Sequence, residues 1–405
     1  MIVGVYGDDV TGSVDALLQY RRAGLRGALV TSPSRVGAVA DRTDLPVVVV
    51  AGTARSLPTA AMAAEVVPAL EALKGARLVQ YKACSTADSS PAVGSLGTVI
   101  ELAREAYGSQ PVPLLFAQPD FGRYTVFGHH FARDGDRVWR LDRQPTMSRH
   151  PVTPMGESDL AVHLGRQTRL PIASVPWTAY GDLDDRLRDP AAAAYVLDAL
   201  DDDHLDAVGA AVLGLPARPT FALGSGGLSR AVGGVLARRL GASAPPLADT
   251  AASAPGPLLA VSGSCSGRTW DQVRAALDAG WVGVALGPEA VGQATAAYAA
   301  GRDVVLFSAQ GGAVGTPVDV SGDLAAAVRA CGSVRPVPRL LVCGGDTSGR
   351  VLQHLGALSL EIVAAPWGNA PLLRVAGGEI DGTEVVVKGG QVGGVDLFEQ
   401  VRRGR

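Results

Sequence analysis

Glycines, an acid and hydroxyl side chains come together where an apolar run meets a helical pattern, in LLVCGGDTSGRVLQHL. Gly344 and Gly345 allow a ligand to approach the backbone closely, and Asp346 follows at the carboxyl end of the predicted strand, where open α/β sheets place their ligands. Thr347 or Ser348 is expected to cap the helix, whose first N–H groups form an anion site. The pattern predicts a ligand loop, and the alternative is a turn that needs small residues only for packing.

A second set of hydroxyls and glycines lies in SGSCSGRTWDQ and VVVKGGQVGG. Ser264 and Ser266 follow a predicted strand, and Thr269 is expected to open the next helix as part of a capping box. Lys388 ends another strand directly before a flexible pair of glycines. Hydroxyls, backbone amides and a cation are what a phosphate group requires, so these loops indicate a local anion site.

Two adjacent aspartates, Asp8 and Asp9, follow the first apolar run of the chain. Adjacent carboxylates repel each other, so they persist best where they bind a hydroxyl-rich ligand, a metal or a cationic side chain. The alternative is a helix-capping turn in which one aspartate is solvated. The pattern differs from the DxDxT of phosphatases, because here the aspartates are adjacent and the threonine lies two residues after the second.

The loop YKACSTADSSP offers a cation, an acid and several hydroxyls at the end of another predicted strand. A sugar-like polyol would find many hydrogen-bonding partners there. The candidate residues of this loop are Lys82, Ser85, Thr86 and Asp88. Ser90 as N-cap and Pro91 at the first helical position predict that a helix begins directly afterwards.

Arginine side chains lie in two further segments of the N-terminal half. Arg123 lies in PDFGRYT, and Arg143 and Arg149 lie in the proline-punctuated RLDRQPTMSRHPVTPM. Arginine grips a carboxylate or phosphate through two parallel hydrogen bonds, so these side chains are candidates for binding an anionic substrate. An exposed basic loop is the alternative.

Composition narrows the class of protein. Of 405 residues, 47% are hydrophobic and 19% charged, and the net charge of −3 gives no general attraction to nucleic acid or anionic membranes. No stretch reaches the ~18–20 uninterrupted apolar residues of a membrane span, so a cytoplasmic location is expected.

Four cysteines without a CxxC pair exclude a disulfide framework. Only three of the 36 basic residues are lysines, which marks Lys82 and Lys388, both beside polar or glycine-rich loops, as ligand candidates.

Strand-like runs that alternate with helical patterns predict an α/β protein with mostly parallel sheets. Residues 241–257 carry four prolines and no regular apolar period, which indicates a linker. We therefore expect two α/β domains, residues 1–240 and 258–405, with a ligand cleft between them. The GSGGLS at 224–229 resembles GxGxxG, but a lone match is weak support for a dinucleotide, and the chain has no GxxxxGK[ST] P-loop.

Taken together, the ordered motifs resemble the four-carbon acid sugar kinase family. The resemblance runs from Val3 to about Val395 and includes GDDVTGSVDALLQ, YKACSTADSSPAVGSLG, FGRYTVFGHHF, HPVTPMGESDL, SGSCSGRTWDQ, GGDTSGRVLQHL and VVVKGGQVGG. It implies an N-terminal substrate-binding domain and a C-terminal nucleotide-binding domain. It also implies phosphorylation by ATP of threonate, erythronate, a 3-oxo-tetronate or 3-oxo-isoapionate. Relatives usually carry an aromatic residue at the position of Ala87, a departure that leaves the exact substrate open.

The resemblance and the residues together imply a division of ligands between the two halves. The C-terminal loops would hold ATP, with Mg²⁺ expected on chemical grounds, through Ser264, Ser266, Thr269, Gly344, Gly345, Asp346, Thr347, Gly389 and Gly390. Lys388 would counter phosphate charge. The N-terminal loops would hold the sugar acid through Asp8, Asp9, Lys82, Ser85, Thr86, Asp88, Arg123 and Arg149. Asp346 is the first candidate for the general base and Asp8 or Asp9 the second, while metal ligands stay unassigned.

Two other classes of protein stay open at this stage. A sugar-acid binding or regulatory protein could keep the N-terminal loops without catalysis, although it would have no need for a second glycine-rich half. A dinucleotide-dependent oxidoreductase could use residues 224–229, but no acidic residue lies at a convincing ribose position. The expected partner is a small molecule rather than nucleic acid or a membrane. The oligomeric state, a homo-oligomer included, and the phosphorylated hydroxyl stay open.

Overall fold

The computed structural model describes residues 1–242, 244–308 and 317–405, without the side chains of 317–319 and 346. The chain forms two compact units. Unit 1 consists of Met1–Gly27 and Ser32–Pro245, and unit 2 consists of Ala28–Thr31 and Pro246–Arg405. In the described part of the chain, no helix combines the length and the apolar character that crossing a membrane requires.

Strands and helices alternate along the first 245 residues. They are β1 (Val3–Gly7), α1 (Val10–Arg22), β2 (Gly27–Val30), α2 (Gly37–Ala40), β3 (Val47–Ala51), α3 (Thr59–Leu73), β4 (Leu78–Lys82), α4 (Leu96–Tyr107), β5 (Val112–Leu115), β6 (Arg123–Val126), β7 (His129–Asp134), β8 (Arg137–Arg140), α5 (Leu160–Gly165), β9 (Ile172–Val175), α6 (Leu183–Arg186), β10 (Ala194–Leu197), α7 (Asp202–Gly214), β11 (Thr220–Gly224) and α8 (Gly226–Leu240).

The same alternation continues to the end of the chain. The elements are β12 (Leu259–Ser262), α9 (Gly267–Asp278), β13 (Val282–Ala285), α10 (Ala290–Ala299), β14 (Val304–Phe307), α11 (Pro317–Val334), β15 (Arg339–Cys343), α12 (Gly345–His354), β16 (Ser359–Ala364), β17 (Leu372–Ala376), β18 (Glu384–Lys388) and α13 (Leu397–Arg403).

Unit 1 contains a parallel sheet with the strand order β3-β1-β4-β11-β5-β10-β9. Every residue of β1, β3, β4 and β11 is buried, as expected for strands that are covered on both faces. Gly7 and Gly224 both pair with Lys82, so three neighbouring strands end in register. The loops that follow these three residues therefore leave the sheet at one edge. A separate antiparallel sheet of unit 1 has the order β6-β7-β8.

Unit 2 contains a mixed sheet with the order β13-β14-β12-β15-β18-β17-β16-β2. The first five strands in this order, β13, β14, β12, β15 and β18, are parallel. The strands β17, β16 and β2 that follow each run antiparallel to the strand before. Cys343 pairs with both Ser262 and Lys388, so β12, β15 and β18 also end together. The prediction of an α/β fold with mostly parallel sheets is confirmed.

The prediction that a helix begins at Ser90 and Pro91 is wrong. Ser90 Oγ accepts a hydrogen bond from the Val93 N–H at 3.0 Å, and the Ser90 N–H donates to the Val93 carbonyl at 2.9 Å, which closes a tight turn. Gly94 then adopts a φ of +59°, which is incompatible with a continuous right-handed helix. Helix α4 starts only at Leu96, where Ser95 is the N-cap residue.

The predicted caps of α9 and α12 are also wrong. Helix α9 begins at Gly267, and the Thr269 hydroxyl instead donates to the Gly390 carbonyl at 3.0 Å. Helix α12 begins at Gly345 after Gly344, which has a φ of +109°. Thr347 lies inside that helix, as does Ser348, whose hydroxyl bonds back to the Gly344 carbonyl. In α9 a contact with a distant carbonyl outweighs the local capping pattern, whereas α12 begins before Thr347 and Ser348, so neither of these residues can cap it.

Candidate functional site

Asp8 and Asp9 leave strand β1 at the carboxyl edge of the sheet in unit 1, and a single arginine holds both. Arg55 Nη2 lies 2.6 Å from Asp8 Oδ1, Nε lies 3.2 Å from Asp8 Oδ2, and Nη1 lies 2.7 Å from Asp9 Oδ2. Asp9 also caps α1 by accepting from the Gly12 N–H at 2.6 Å. The adjacent carboxylates thus have a cationic partner, one of the three explanations the sequence offered. The alternative of a solvated aspartate is wrong, because both side chains are buried.

Burial and the neighbouring cations act on the two carboxyl groups with different outcomes. Burial raises the pKa of Asp8, and the charge of Arg55 offsets this only in part. Burial also acts to raise the pKa of Asp9, but the charges of Arg55 and Lys82 outweigh it and lower that pKa. Asp9 is therefore held as an anion, and Asp8 is the one of the pair that binds a proton more readily.

Lys82 ends strand β4 beside the aspartates, and only 4% of its side chain is exposed. Its Nζ lies 3.4 Å from Asp15 Oδ2 on α1 and donates to the Ala83 carbonyl at 3.1 Å. A Cβ added to Gly12 would lie 3.3 Å from Lys82 Nζ and 3.4 Å from Arg55 Nη2. Both cations therefore converge on the first turn of α1, where such a Cβ would lie only 2.5 Å from Asp9 Oδ1, so glycine at this position leaves room for the capping carboxylate.

Three histidines from different elements contact the loop Ser85–Ser89. His130 Nε2 lies 2.8 Å from the Ser85 carbonyl oxygen, and His163 Nε2 lies 3.1 Å from Ser89 Oγ. Burial lowers the pKa of His130 to about 3, so this ring is neutral and can donate one N–H to the carbonyl. The third, His150, lies at 3.9 Å from Asp88 Oδ1. These contacts fix the loop that the sequence assigned to substrate.

The polar residues assigned to the substrate differ in how many of their hydrogen-bonding groups are already used by protein partners. Thr153 donates its hydroxyl proton to Asp88 Oδ1 in a short hydrogen bond, so this carboxylate already has one protein partner. Thr86 is buried, and its hydroxyl lies 3.0 Å from Cys84 Sγ. The guanidinium of Arg149 lies on an exposed turn next to His150. Arg149 is therefore next in sequence to a residue that approaches the loop, but its exposed side chain is not part of the buried network of the loop.

Arg123 is the predicted arginine that the structure buries most. Its Nη1 donates to three backbone carbonyls, at 3.0 Å to Phe121, 3.4 Å to Gly122 and 3.2 Å to Arg133. Its Nε is buried and has no hydrogen-bond partner within the described part of the chain. Burial lowers the pKa of Arg123, and Cys84 is the neighbour that opposes this most. A buried N–H donor that lacks a partner is suited to an anionic ligand group.

In unit 2, Lys388 ends strand β18 and is fully buried. Its Nζ donates to Thr269 Oγ1 at 2.7 Å, and burial lowers the pKa of the ammonium group. Among the described side chains, which leave out Asp346, no carboxylate forms an ion pair with it. The Thr269 hydroxyl also accepts from Ser264 Oγ at 3.1 Å and donates to the Gly390 carbonyl, so its hydrogen-bonding capacity is fully used.

The glycine-rich segment after Lys388 is fastened to the start of α9. Ser266 Oγ donates to the Gly390 carbonyl at 2.8 Å, and Gln272 Nε2 donates to the carbonyls of Val392 at 3.0 Å and Gly394 at 2.8 Å. A Cβ added to Gly390 would lie 2.8 Å from Ser266 Cβ, which is too close for a side chain. Gly389 lies between this contact and Lys388.

The loop after β15 completes the same edge of unit 2. The Gly344 N–H donates to the Lys388 carbonyl at 2.9 Å, and a Cβ added to Gly344 would lie 3.4 Å from the Ser264 nitrogen. A Cβ added there would also lie 3.2 Å from Thr347 Oγ1, on the helix that Gly345 opens. The predicted C-terminal residues therefore come together. Asp346, the first candidate for the general base, lies outside the described side chains.

In the GSGG segment of unit 1, other protein atoms occupy the space beside the glycines. A Cβ added to Gly226 would overlap Asp15 Oδ2 and come within 2.9 Å of the Gln118 amide, and one added to Gly227 would overlap the Ala117 carbonyl. These glycines thus permit α8 to pack tightly against α1 and the loop after β5, and packing alone accounts for the match to GxGxxG.

Several residues of both sites were missed in the sequence. Arg55 follows β3, which pairs with β1. A cation shortly after a strand next to β1 was therefore the available signal for a partner of the two aspartates. Gln272 lies three residues after Thr269, and the expected capping box gives no indication that its amide holds the glycine segment. The histidines that contact Ser85–Ser89 lie 45 or more residues after their partners and give no local signal. Within the described residues, no group of three or more His, Cys, Asp or Glu side chains could hold a metal ion.

Comparison with known proteins shows the family of the chain. Residues 3–232 match the family model of a sugar-binding N-terminal domain, and residues 259–398 match that of a nucleotide-binding C-terminal domain. The chain is 33% identical to the 3-oxo-isoapionate kinase of Paraburkholderia graminis, over 100% of this chain and 95% of that protein. It is 30% identical to the 3-oxo-tetronate kinase of Cupriavidus necator, over 99% and 96%.

A further relative and one solved structure agree with this comparison. The chain is 30% identical to the D-threonate kinase of Bordetella bronchiseptica, over 98% of this chain and 95% of that protein. A crystal structure of a Salmonella typhimurium LT2 protein shares the fold with a TM-score of 0.77 at 22% identity, over 99% of this chain and 98% of that one. The chain belongs to the four-carbon acid sugar kinase family.

Proposed function

We propose that this protein transfers the γ-phosphoryl group of ATP to a hydroxyl of a small four-carbon or branched sugar acid. Candidate substrates are 3-oxo-isoapionate, 3-oxo-tetronates and D-threonate, the acids after which its kinase relatives are named. The observation that carries the proposal is Lys388, a fully buried cation at a strand end beside glycine-rich loops. A buried cation without a paired carboxylate among the described side chains suits the phosphate chain of a nucleotide.

The nucleotide would be held by Lys388, the hydroxyls of Ser264 and Ser266, and the backbone around Gly344–Gly345 and Gly389–Gly390. Thr269 would act as a positioning residue, because its hydroxyl is already used by Lys388, Ser264 and Gly390. ATP supplies the phosphoryl group, and Mg²⁺ would be bound mainly by phosphate oxygens and water, as is usual for this ion. The role of the protein is then to position the two reactants and to neutralise phosphate charge.

The sugar acid would be bound in unit 1 by the oxygens of Asp8 and Asp9, by Lys82, and by the loop Ser85–Asp88. Carboxylates accept hydrogen bonds from substrate hydroxyls, and Arg55 balances one of the two charges and so weakens the repulsion of an anionic substrate. Arg123 would bind the substrate carboxylate through its unpartnered Nε. Asp346 stays the first candidate for the general base, and Asp8 is the better of the two alternatives because burial raises its pKa.

The decisive experiment measures ADP release with a panel of tetronates, their 3-oxo forms, 3-oxo-isoapionate and the matching neutral polyols. We expect ATP consumption with at least one acid, and its loss in Lys388→Met. A folded protein that binds an acid from the panel but never consumes ATP would instead be a binding or regulatory protein.

The division of ligands is tested by hydrogen exchange on the full chain. ADP alone should protect the backbone around 263–269, 344–348 and 388–394, and the sugar acid should protect the segments around 8–12 and 82–89. Protection by ADP confined to residues 1–240 would show that the assignment of ligands to the two units is wrong.

A further inference from the structure

A cavity of about 660 Å³ lies at the edge of the unit 1 sheet where the strands begin. Its lining includes Ile2, Arg77 and Pro219, which directly precede strands β1, β4 and β11. The opposite, carboxyl ends of these neighbouring strands carry Asp8 and Lys82. The cavity is therefore separate from the candidate substrate site.

Three guanidinium groups line this cavity, those of Arg77, Arg218 and Arg239. Arg77 and Arg239 both donate to the Leu213 carbonyl, and Arg218 Nη1 donates to two further carbonyls at 2.6 and 2.8 Å. Within the described part of the chain, none of the three forms an ion pair with a carboxylate. The remaining cation of the lining, Lys74, is paired with Glu71 at 2.6 Å.

The three arginines are close enough to repel one another. Burial lowers the pKa of Arg77, and the charges of Arg218 and Arg239 lower it further. The C-terminus of α7 near Leu213 favours one nearby cation through the helix dipole, but it gives no reason for three in one cavity. Each guanidinium has five N–H donors, so most of these donors are left for water or a ligand.

We propose that this cavity binds a small phosphorylated molecule. A phosphate monoester carries a charge of about −1.5 to −2 and three terminal oxygens, which suits several guanidinium groups, whereas one bidentate arginine satisfies a carboxylate. The volume falls in the range of roughly 300–1,000 Å³ that is typical of small-molecule sites. Leu213, Leu236 and Leu240 line the same cavity and provide apolar surface for an organic part of the ligand.

Inorganic pyrophosphate is the probe for the charged part of this site, with binding to the full chain measured by calorimetry. The test variant is Arg218→Gln/Arg239→Gln, since both side chains are exposed and their loss should leave the fold intact. The matched control is Arg230→Gln, an arginine of unit 1 that pairs with Asp202 at 2.5 Å away from the cavity. Lys388→Met removes the main cation of the proposed nucleotide site and so separates the two sources of binding.

The double variant should weaken pyrophosphate binding at least about tenfold, as expected for loss of charge-assisted hydrogen bonds. Arg230→Gln should bind as the wild type does, and Lys388→Met should retain one site. Equal affinity in the double variant and the wild type, or no remaining site in Lys388→Met, would overturn the proposal. If the double variant fails to fold by thermal melting, Arg239→Gln alone decides the question, because it should still lose affinity relative to Arg230→Gln.

Discussion

Arg55 and Asp8 form an ion pair with two contacts, in which Nη2 lies 2.6 Å from Oδ1 and Nε lies 3.2 Å from Oδ2. The remaining nitrogen, Nη1, lies 2.7 Å from Asp9 Oδ2. One guanidinium thus binds both aspartates of the GDD sequence. The two carboxylates are held in fixed positions and one of their two negative charges is balanced, so they can accept hydrogen bonds from hydroxyls and repel an acid less than an unpaired pair would.

Arg55→Met should destabilise the protein, because it leaves Asp8 buried without its main partner. Breaking a buried pair typically costs ~3–5 kcal/mol. We expect the lower end of that range or less, since 24% of the Arg55 side chain is exposed. Urea unfolding measures the change, and Arg42→Met, which removes an exposed pair with Asp44, should change the free energy of unfolding far less. Equal losses in the two variants would contradict the structural role given to Arg55.

Lys388→Met should reduce turnover by about 10²–10³-fold, the usual effect of removing one charged group that stabilises a transition state. Methionine fills similar space without burying a charge, so the fold should persist. Lys74→Met is the matched control, because Lys74 is an exposed lysine paired only with Glu71. ADP release at saturating ATP and substrate gives the comparison. Unchanged turnover in a folded Lys388→Met protein would remove Lys388 from the active site.

Gly390→Ala should raise the KM for ATP about tenfold or more, while Gly267→Ala should leave it near the wild-type value. A Cβ at Gly390 would lie 2.8 Å from Ser266 Cβ and 3.3 Å from Ser264 Oγ, so the two loops must separate. At Gly267, one residue after Ser266, the described part of the chain offers nothing within 4 Å of such a Cβ. Similar KM values in the two variants would show that the approach of these loops is not needed for nucleotide binding.

Much of both sites follows from where strands end, which the sequence makes visible. Asp8, Lys82 and Lys388 were placed at strand ends because apolar runs stop there, and the structure puts each at such an edge. Arg55 and the histidines that contact Ser85–Ser89 could not be placed, because their partners are distant in sequence. The helix starts failed for a related reason, since the hydroxyls of Ser90 and Thr269 bond to a turn and to a distant carbonyl instead of a helix end. Residues Ala28–Thr31 belong to unit 2, and local pattern gives no signal for that either.

Glu399 should make the stability of unit 2 depend on pH in the acid range. Hydrogen bonds from Arg402, opposed by burial and supported by Trp281, lower the pKa of Glu399 to about 2 from 4.5. A lowered folded-state pKa stabilises the protein above the unfolded-state value, and this contribution is lost as the pH falls from about 4.5 towards 2. Glu399→Gln should therefore cost ~1 kcal/mol at pH 7 after allowance for solvent screening, with the difference from wild type shrinking at pH 3. Urea unfolding at both pH values measures this, and a difference that does not change with pH would contradict it.

The last prediction is that the substrate is recognised as an acid and that Arg123 provides the contact. Arg55 is committed to Asp8 and Asp9, and Lys82 lies against Asp15, so these five side chains have more acids than cations. A substrate carboxylate needs a further cation, and Arg123 has a buried Nε without a partner in the described part of the chain. Loss of one charged contact is worth ~3 kcal/mol at most, or roughly 10²-fold in kcat/KM.

The wild type should therefore phosphorylate the acid roughly 10²-fold better, in kcat/KM, than its amide or reduced alcohol. Arg123→Gln should remove most of that preference by slowing the acid and leaving the neutral compounds nearly unchanged. Arg133→Gln is the matched control, because Arg133 donates to the Tyr124 hydroxyl on the same small sheet and is exposed. A variant that slows acid and alcohol equally would give Arg123 a structural role only. Comparable phosphorylation of a four-carbon acid and its neutral polyol by the wild type would count decisively against recognition of the carboxylate, since it would leave the buried Nε of Arg123 without a ligand group to bind.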